Sequence, residues 1–146
     1  MRIVVDTNIA FSAILNTDSR IARIILQSKA RLNFYSTDLL LLEIEEHKSK
    51  LKELAGYSDF DLNKAMKMIT AKIRFIDAWL IPAPVLIDAQ NLLESIDIDD
   101  TEFVALTNHI SGKLWSGDKA LLSGLKQKGW NHFVSTRELV EMIWVK

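Results

Sequence analysis

Four acidic residues stand where the folded chain could bring carboxylates together. Asp6 and Asp118 each follow a short apolar run, and Asp100 opens a segment with helical periodicity. Glu43 lies inside a leucine-rich run, where a solvated surface carboxylate is hard to explain. Taken together, these positions predict a cluster of carboxylates drawn from distant parts of the chain.

Carboxylates held close together need a cation. Two of them about 4 Å apart repel by roughly 4 kcal/mol at an effective dielectric constant near 20, so the protein must protonate some or bind a positive ion. A ligand set of oxygens without His or Cys favours Mg²⁺ or Mn²⁺ over zinc. Two such ions would activate an attacking water and neutralise the leaving oxygen at phosphorus. The inferred reaction class is therefore phosphodiester hydrolysis.

Each acid also has a purely structural explanation. Asp118 is well placed to cap a helix, and Asp6 to hydrogen-bond a turn. The acidic run Asp97–Glu102 could complement a helix N-terminus, and Glu43 could pair with His47 four residues later. All four explanations would have to hold independently, which favours the carboxylate cluster.

The composition excludes several other classes of protein. The chain has 146 residues, a formal net charge of −1 and no cysteine. The lack of cysteine excludes a disulfide scaffold, thiolate metal sites and a cysteine nucleophile, and the balanced charge argues against wrapping duplex nucleic acid. No apolar stretch is long enough for a bilayer and no export signal is evident. We expect one domain over residues 1–146, cytoplasmic and without a membrane partner.

Short β-branched runs alternate with helical periodicity along the chain. Strands are predicted at Arg2–Val5, Leu32–Tyr35, Leu114-Trp115 and His132–Val134, while Ile73–Ile76 fits a helix or a strand. Helices are predicted around Ile14–Ile25, with Asp18 or Ser19 as cap, from Leu39 to about Leu54 after the capping cluster Ser36–Asp38, from Ser58, and over 85–93, 101–109, 119–128 and 136–143. A loop is expected after the first strand, at Asp6-Thr7-Asn8.

This alternation determines the expected fold and the place of the site. It predicts an α/β protein, a three-layer α/β/α sandwich with a central parallel sheet of about four to five strands. Ligands bind such sheets beyond the carboxyl ends of the strands. Asp6 and Asp118 follow strands directly, and Asp100 opens the helix before the strand at Leu114-Trp115.

Several segments resemble the PIN-domain nucleases, the family that includes VapC-type toxins. Val4–Asn8 resembles the opening strand and first acid of that family, and Leu39–Glu46 resembles the helix with its second acid. The most specific likeness is Asp97–Leu106 followed by Leu114–Leu122, which resembles the third-acid helix and the strand-to-Asp turn. The resemblance covers essentially the whole chain in order.

The resemblance implies a Mg²⁺- or Mn²⁺-dependent ribonuclease that cuts single-stranded RNA, often as a homodimer. It also implies a toxin role with an antitoxin protein as partner. Carried over by position, the catalytic, metal-binding acids would be Asp6, Glu43, Asp100 and Asp118. Asp97 is an additional or alternative ligand, because the run Asp97, Asp99, Asp100 leaves the register open.

Polar and basic residues complete this expected site. Asn8 and Ser116 would orient the acids through hydrogen bonds. The helix from Ser58 would set Lys64, Lys67 and Arg74 on one side as candidate RNA contacts, the alternative being a solvated helix face. A second basic group could hold phosphates or an acidic segment of an antitoxin: Arg20, Arg23, Lys29 and Arg31.

Two other functions compete with the nuclease. One is a catalytically silent PIN-like binding module, which metal binding would distinguish. The other is a phosphoryl-accepting receiver or a phosphatase, which would share the sheet and the acidic pocket. Those sites need a second acid near the first, whereas Thr7 and Asn8 follow Asp6 here.

Overall fold

The computed structural model describes residues 1–28 and 31–144. Its strands are β1 (Arg2–Val5), β2 (Asn33–Thr37), β3 (Ile73–Ile76), β4 (Lys113–Trp115) and β5 (Phe133–Val134). Its α-helices are α1 (Thr7–Leu15), α2 (Arg20–Gln27), α3 (Asp38–Glu46), α4 (Lys48–Ala55), α5 (Asp59–Thr70), α6 (Ala83–Leu93), α7 (Thr101–His109), α8 (Lys119–Gln127) and α9 (Thr136–Trp144). Two short 3₁₀ turns, Ala78–Leu80 and Ile98–Asp100, precede α6 and α7.

The strands form one parallel sheet in the order β3-β2-β1-β4-β5. The chain runs from β1 through β2 to β3 on one side and then crosses back to β4 on the other. The carboxyl ends of β1 and β4 therefore flank the point where the strand order reverses, the usual ligand site of such a sheet. The predicted parallel sheet is confirmed.

Helices cover both faces of the sheet. Helix α1 packs against α2, α4 and α5, while α6 packs against α7, which contacts β1 and β2. Right-handed crossovers place these two groups on opposite faces. Strand β1 is apolar at consecutive positions because both of its faces are buried: Ile3, Val4 and Val5 have no exposed surface. The predicted three-layer α/β/α architecture is confirmed.

The segment after β1 differs from the expected loop. Helix α1 begins at Thr7, directly after Asp6, and the helical spacing through Ile25 belongs to two helices. The break lies where Asn16 Oδ1 accepts a hydrogen bond from the Asp18 amide at 3.0 Å, a local turn that competes with helix. Ser19, rather than Asp18, caps α2.

The predicted helix from Leu39 to about Leu54 is also two helices, α3 and α4. They are separated at His47, whose ring Nδ1 donates to the Glu43 carbonyl at 2.9 Å. Gly56 ends α4 with a φ of 70°, as its residue type predicts. Ser36 and Thr37 end β2, and Thr37 also occupies the predicted N-cap position of α3, without a capping hydrogen bond from its side chain.

The ambiguous segment Ile73–Ile76 is the edge strand β3, which pairs with β2. Arg74 therefore lies on a strand, and the expectation that it shares a helix face with Lys64 and Lys67 is wrong. Helix α5 ends at Thr70, before Arg74 is reached. No helix in residues 1–28 or 31–144 has the length and apolar character needed to cross a membrane.

Candidate active site

Asp6 lies between β1 and α1 and is the N-cap of α1. Its Oδ1 accepts a hydrogen bond from the Ile9 amide at 2.9 Å, and the residue is only 3% exposed. Burial raises the pKa of this carboxyl, the charges of Asp118 and Glu43 raise it further, and the Ser116 hydroxyl and the Ile9 amide oppose the shift. The turn-capping explanation for Asp6 thus holds, but it occupies one carboxylate oxygen and leaves the residue facing two other acids.

Asp118 repeats this arrangement after β4. Its Oδ1 accepts a hydrogen bond from the Leu121 amide at 3.1 Å and caps α8. Its own amide donates to Ser116 Oγ at 3.1 Å. Since the Ser116 hydroxyl also lowers the pKa of Asp6, one side chain touches both acids. Ser116 is buried, so this link is shielded from solvent.

Asp100 lies at the junction of the second 3₁₀ turn and α7. It occupies the N-cap position, yet its side chain makes no capping hydrogen bond. Burial raises the pKa of this carboxyl to about 7, and the charges of Asp97, Asp6 and Asp118 contribute in that order. Asp100 is therefore half-buried beside the acids of both strand ends, with its carboxyl group unused by the helix.

The other acids of the run from Asp97 take different positions. Asp97 is exposed, caps the 3₁₀ turn through the Asp99 amide at 3.1 Å, and raises the pKa of the Asp100 carboxyl. Asp99 is exposed too, and its charge acts on Glu43. Within this run, Asp100 is the residue whose pKa the charges of both strand-end acids raise.

Glu43 approaches the cluster from α3. Burial raises its pKa, while the Thr7 hydroxyl and His47 lower it. The adjacent leucines do not enclose it, since Leu41 is 40% and Leu42 is 61% exposed. The expected pairing with His47 takes another form, because the imidazole bonds the Glu43 carbonyl and not its carboxylate.

Thr7 was not singled out from the sequence, although it directly follows the first acid. Its Oγ1 is buried and has no partner within hydrogen-bond geometry, while its hydroxyl still lowers the pKa of Glu43. The hydroxyl therefore lies near that carboxylate without a hydrogen bond to it. Asn8, the residue predicted for such a role, is exposed and makes no hydrogen bond to the acids in the described residues.

The sequence of this chain is similar to a known protein family. A family model described as PIN domain matches residues 4–141. The chain belongs to the PIN-domain family. Members of this family are generally nucleases and usually use divalent metal ions. No curated protein matches the chain.

The acids of this PIN domain fit a hard divalent cation in donor type and charge. The donor set is oxygen only, which suits Mg²⁺ or Mn²⁺. Among residues 1–28 and 31–144, no three acidic or histidine side chains lie close enough to form a complete ligand set. The carboxylates are thus electrostatic neighbours that would have to turn toward one another to share an ion.

The predicted RNA-contacting residues of the PIN domain lie on separate surfaces. Lys64 and Lys67 line a groove of about 860 Å³ between α3 and α5, whose walls are mostly apolar. Arg74 lines a smaller groove of about 220 Å³ with Lys72, at the amino ends of β2 and β3. Lys29 lies outside the described residues. Lys64, Lys67 and Arg74 therefore do not form the single basic helix face that was expected.

Proposed function

We propose that this PIN domain is a Mg²⁺- or Mn²⁺-dependent endoribonuclease that hydrolyses phosphodiester bonds of single-stranded RNA. Its metal-holding acids are Asp6, Glu43, Asp100 and Asp118. One observation supports this most: Asp6 and Asp118 follow adjacent strands where the strand order reverses, and both raise the pKa of Asp100. An isolated helix cap has no need of two further carboxylates beside it.

Asp6 and Asp118 each keep one carboxylate oxygen available for a ligand. The Ile9 and Leu121 amides each hold one oxygen of Asp6 and Asp118, so the second oxygen can bind an ion without loss of the helix cap. The Ser116 hydroxyl lowers the pKa of Asp6 and accepts a hydrogen bond from the backbone amide of Asp118. A bound divalent cation would supply water activation and neutralise the leaving oxygen. Phosphate contacts from Lys64, Lys67 and Arg74 are part of the proposal, since all three are exposed cations.

The test is cleavage of a labelled single-stranded RNA with Mg²⁺ or Mn²⁺ against a chelator. Asp6→Asn and Asp118→Asn remove a charge but retain a residue that caps helices. Asp88→Asn is the matched control, because Asp88 is an exposed aspartate on α6. We expect metal-dependent cutting that both site variants lose and the control keeps.

Other outcomes point elsewhere. Cutting that persists in both site variants would indicate a contaminating nuclease. If nothing is cut and metal also leaves the melting temperature unchanged, the catalytically silent binding module replaces the enzyme. A melting shift without cutting would indicate a metal site whose substrate is not this RNA.

The toxin role, the antitoxin partner and the homodimer belong to the same proposal and need separate tests. Expression in bacteria should arrest growth, and Asp6→Asn should relieve the arrest if RNA cleavage causes it. Light scattering of the purified protein gives the oligomeric state directly. Growth arrest that survives Asp6→Asn would exclude cleavage as its cause.

A further inference from the structure

Trp79 is the most exposed large apolar side chain in the described part of the chain, with 93% of its surface accessible. It lies in the 3₁₀ turn Ala78–Leu80, which follows β3. The turn is well anchored: Asp77 Oδ1 accepts from the Trp79 amide at 3.0 Å, and Ile81 behind it is buried. The indole is thus presented to solvent from a fixed backbone.

The position of this turn relates it to the acids. Strand β3 runs parallel to β1, so Trp79 lies at the same carboxyl edge of the sheet as Asp6. Ile76 pairs with Thr37 of β2, and the register of β2 with β1 puts Thr37 level with Asp6. Two strand spacings separate Ile76 from Asp6, about 10 Å. A short extended piece of single strand can cover that distance and reach the turn.

The edge strand that leads to Trp79 also carries positive charge. Arg74 and the preceding Lys72 are exposed, and neither forms a salt bridge within residues 1–28 and 31–144. Single-stranded nucleic acid is commonly bound by cations along its backbone together with aromatic rings that stack on its bases. Both elements occur here along the edge strand β3, with the cations toward its amino end and the indole beyond its carboxyl end.

We propose that Trp79 is a stacking platform for a base of the single-stranded substrate, with Arg74 and Lys72 on its phosphates. This inference rests on the proposed ribonuclease function. A protein partner is the less favoured occupant, because the broad apolar groove lies elsewhere, between α3 and α5. What accompanies the indole along β3 is positive charge, which a phosphate backbone complements.

Binding can be measured without cleavage by anisotropy of a labelled oligoadenylate in chelator. Trp79→Leu keeps an apolar side chain but removes the aromatic face, and Trp79→Phe restores a ring. Leu80→Ala is the control, since Leu80 is 67% exposed in the same turn. We expect Trp79→Leu to raise the Kd by about 5- to 100-fold, Trp79→Phe to recover much of it, and Leu80→Ala to stay within about twofold.

A second readout comes from tryptophan fluorescence. The chain has four tryptophans, of which Trp115 and Trp130 are buried. Trp79 and Trp144 are the exposed ones. Oligoadenylate should quench the part of the wild-type emission that comes from Trp79, and this quenching should disappear in Trp79→Phe. Unchanged melting temperatures will show that each variant is folded.

Three results would overturn the inference. The first is that Trp79→Leu binds oligoadenylate with wild-type affinity. The second is that Leu80→Ala loses as much affinity as Trp79→Leu, which would indicate an apolar protein-docking surface. The third is that the wild type does not bind oligoadenylate. Cleavage with metal is scored separately. If the wild type cuts RNA and Trp79→Leu binds and cuts equally well, the stacking role of Trp79 is wrong and the nuclease proposal stands. If binding depends on Trp79 but no RNA is cut, the nuclease proposal is wrong and the stacking role stands.

Discussion

Asp6 and Asp118 occupy equivalent positions after neighbouring parallel strands, and each caps the following helix through Oδ1. The two bonds measure 2.9 and 3.1 Å, and Ser116 contacts both residues. Each carboxylate thereby sits at the positive end of a helix dipole, which stabilises its negative charge. Capping and ligand binding are compatible roles here, since each residue has a second carboxylate oxygen.

Substitutions of Asp118 can separate capping from charge repulsion. In chelator, Asp118→Asn keeps a capping side chain and removes a charge beside Asp6 and Asp100, so stability should stay equal or rise. Asp118→Ala also removes the cap, and it should be about 1 kcal/mol less stable than Asp118→Asn. Thermal unfolding would show this as roughly 2–4 °C. A loss above about 1 kcal/mol in Asp118→Asn itself would mean that repulsion is negligible.

Divalent metal should stabilise the folded protein. An ion at a hundredfold its Kd adds about 2.7 kcal/mol, which raises the melting temperature by roughly 5–10 °C in a domain of this size. Asp6→Asn should remove most of this shift, and Asp88→Asn should keep it. Differential scanning fluorimetry with Mn²⁺, Mg²⁺ and chelator makes the comparison. A shift of equal size in Asp6→Asn would place the bound ion outside this site.

The metal-free protein should lose stability as pH rises from about 4 to 7. The pKa of Asp100 is raised from 3.8 to about 7 in the folded state. The folded protein therefore binds more protons than the unfolded chain in this range, and stability falls with pH. Asp100→Asn should flatten the slope only in part, because burial also raises the pKa of Asp6 and Glu43. Urea unfolding at several pH values in chelator measures how the free energy of unfolding changes with pH. If this pH dependence is the same in Asp100→Asn as in the wild type, the prediction is wrong.

Ser116 should affect metal affinity more than stability. Ser116→Ala removes the hydroxyl between Asp6 and Asp118, and loss of such an orienting group typically weakens metal binding about 10- to 100-fold. Ser36→Ala is the matched control, since Ser36 Oγ is buried at the end of β2 and donates to the Val5 carbonyl at 3.0 Å. Both variants should lose about 1 kcal/mol. Calorimetric titration with Mn²⁺ would contradict this role if both variants bound equally well.

Much of the fold follows from local signals in the sequence. Strand β1 at Arg2–Val5 and helix α7 at Thr101–His109 have their predicted bounds. β-Branched runs and capping residues act over a few neighbours, so they can be interpreted without the rest of the chain. The residue types and their order also predict a carboxylate cluster that would hold Mg²⁺ or Mn²⁺, and this site stays a prediction.

Other features depend on contacts between distant residues. Ile73–Ile76 is a strand because β2 offers it a pairing edge, which its own residues do not reveal. The acidic run from Asp97 left the register open, and only the packing of α7 beside β1 turns Asp100 toward Asp6. The chemistry of the acids is thus encoded in residue type and order. Their proximity was decided by parallel pairing and helix packing, which join segments that no local pattern connects.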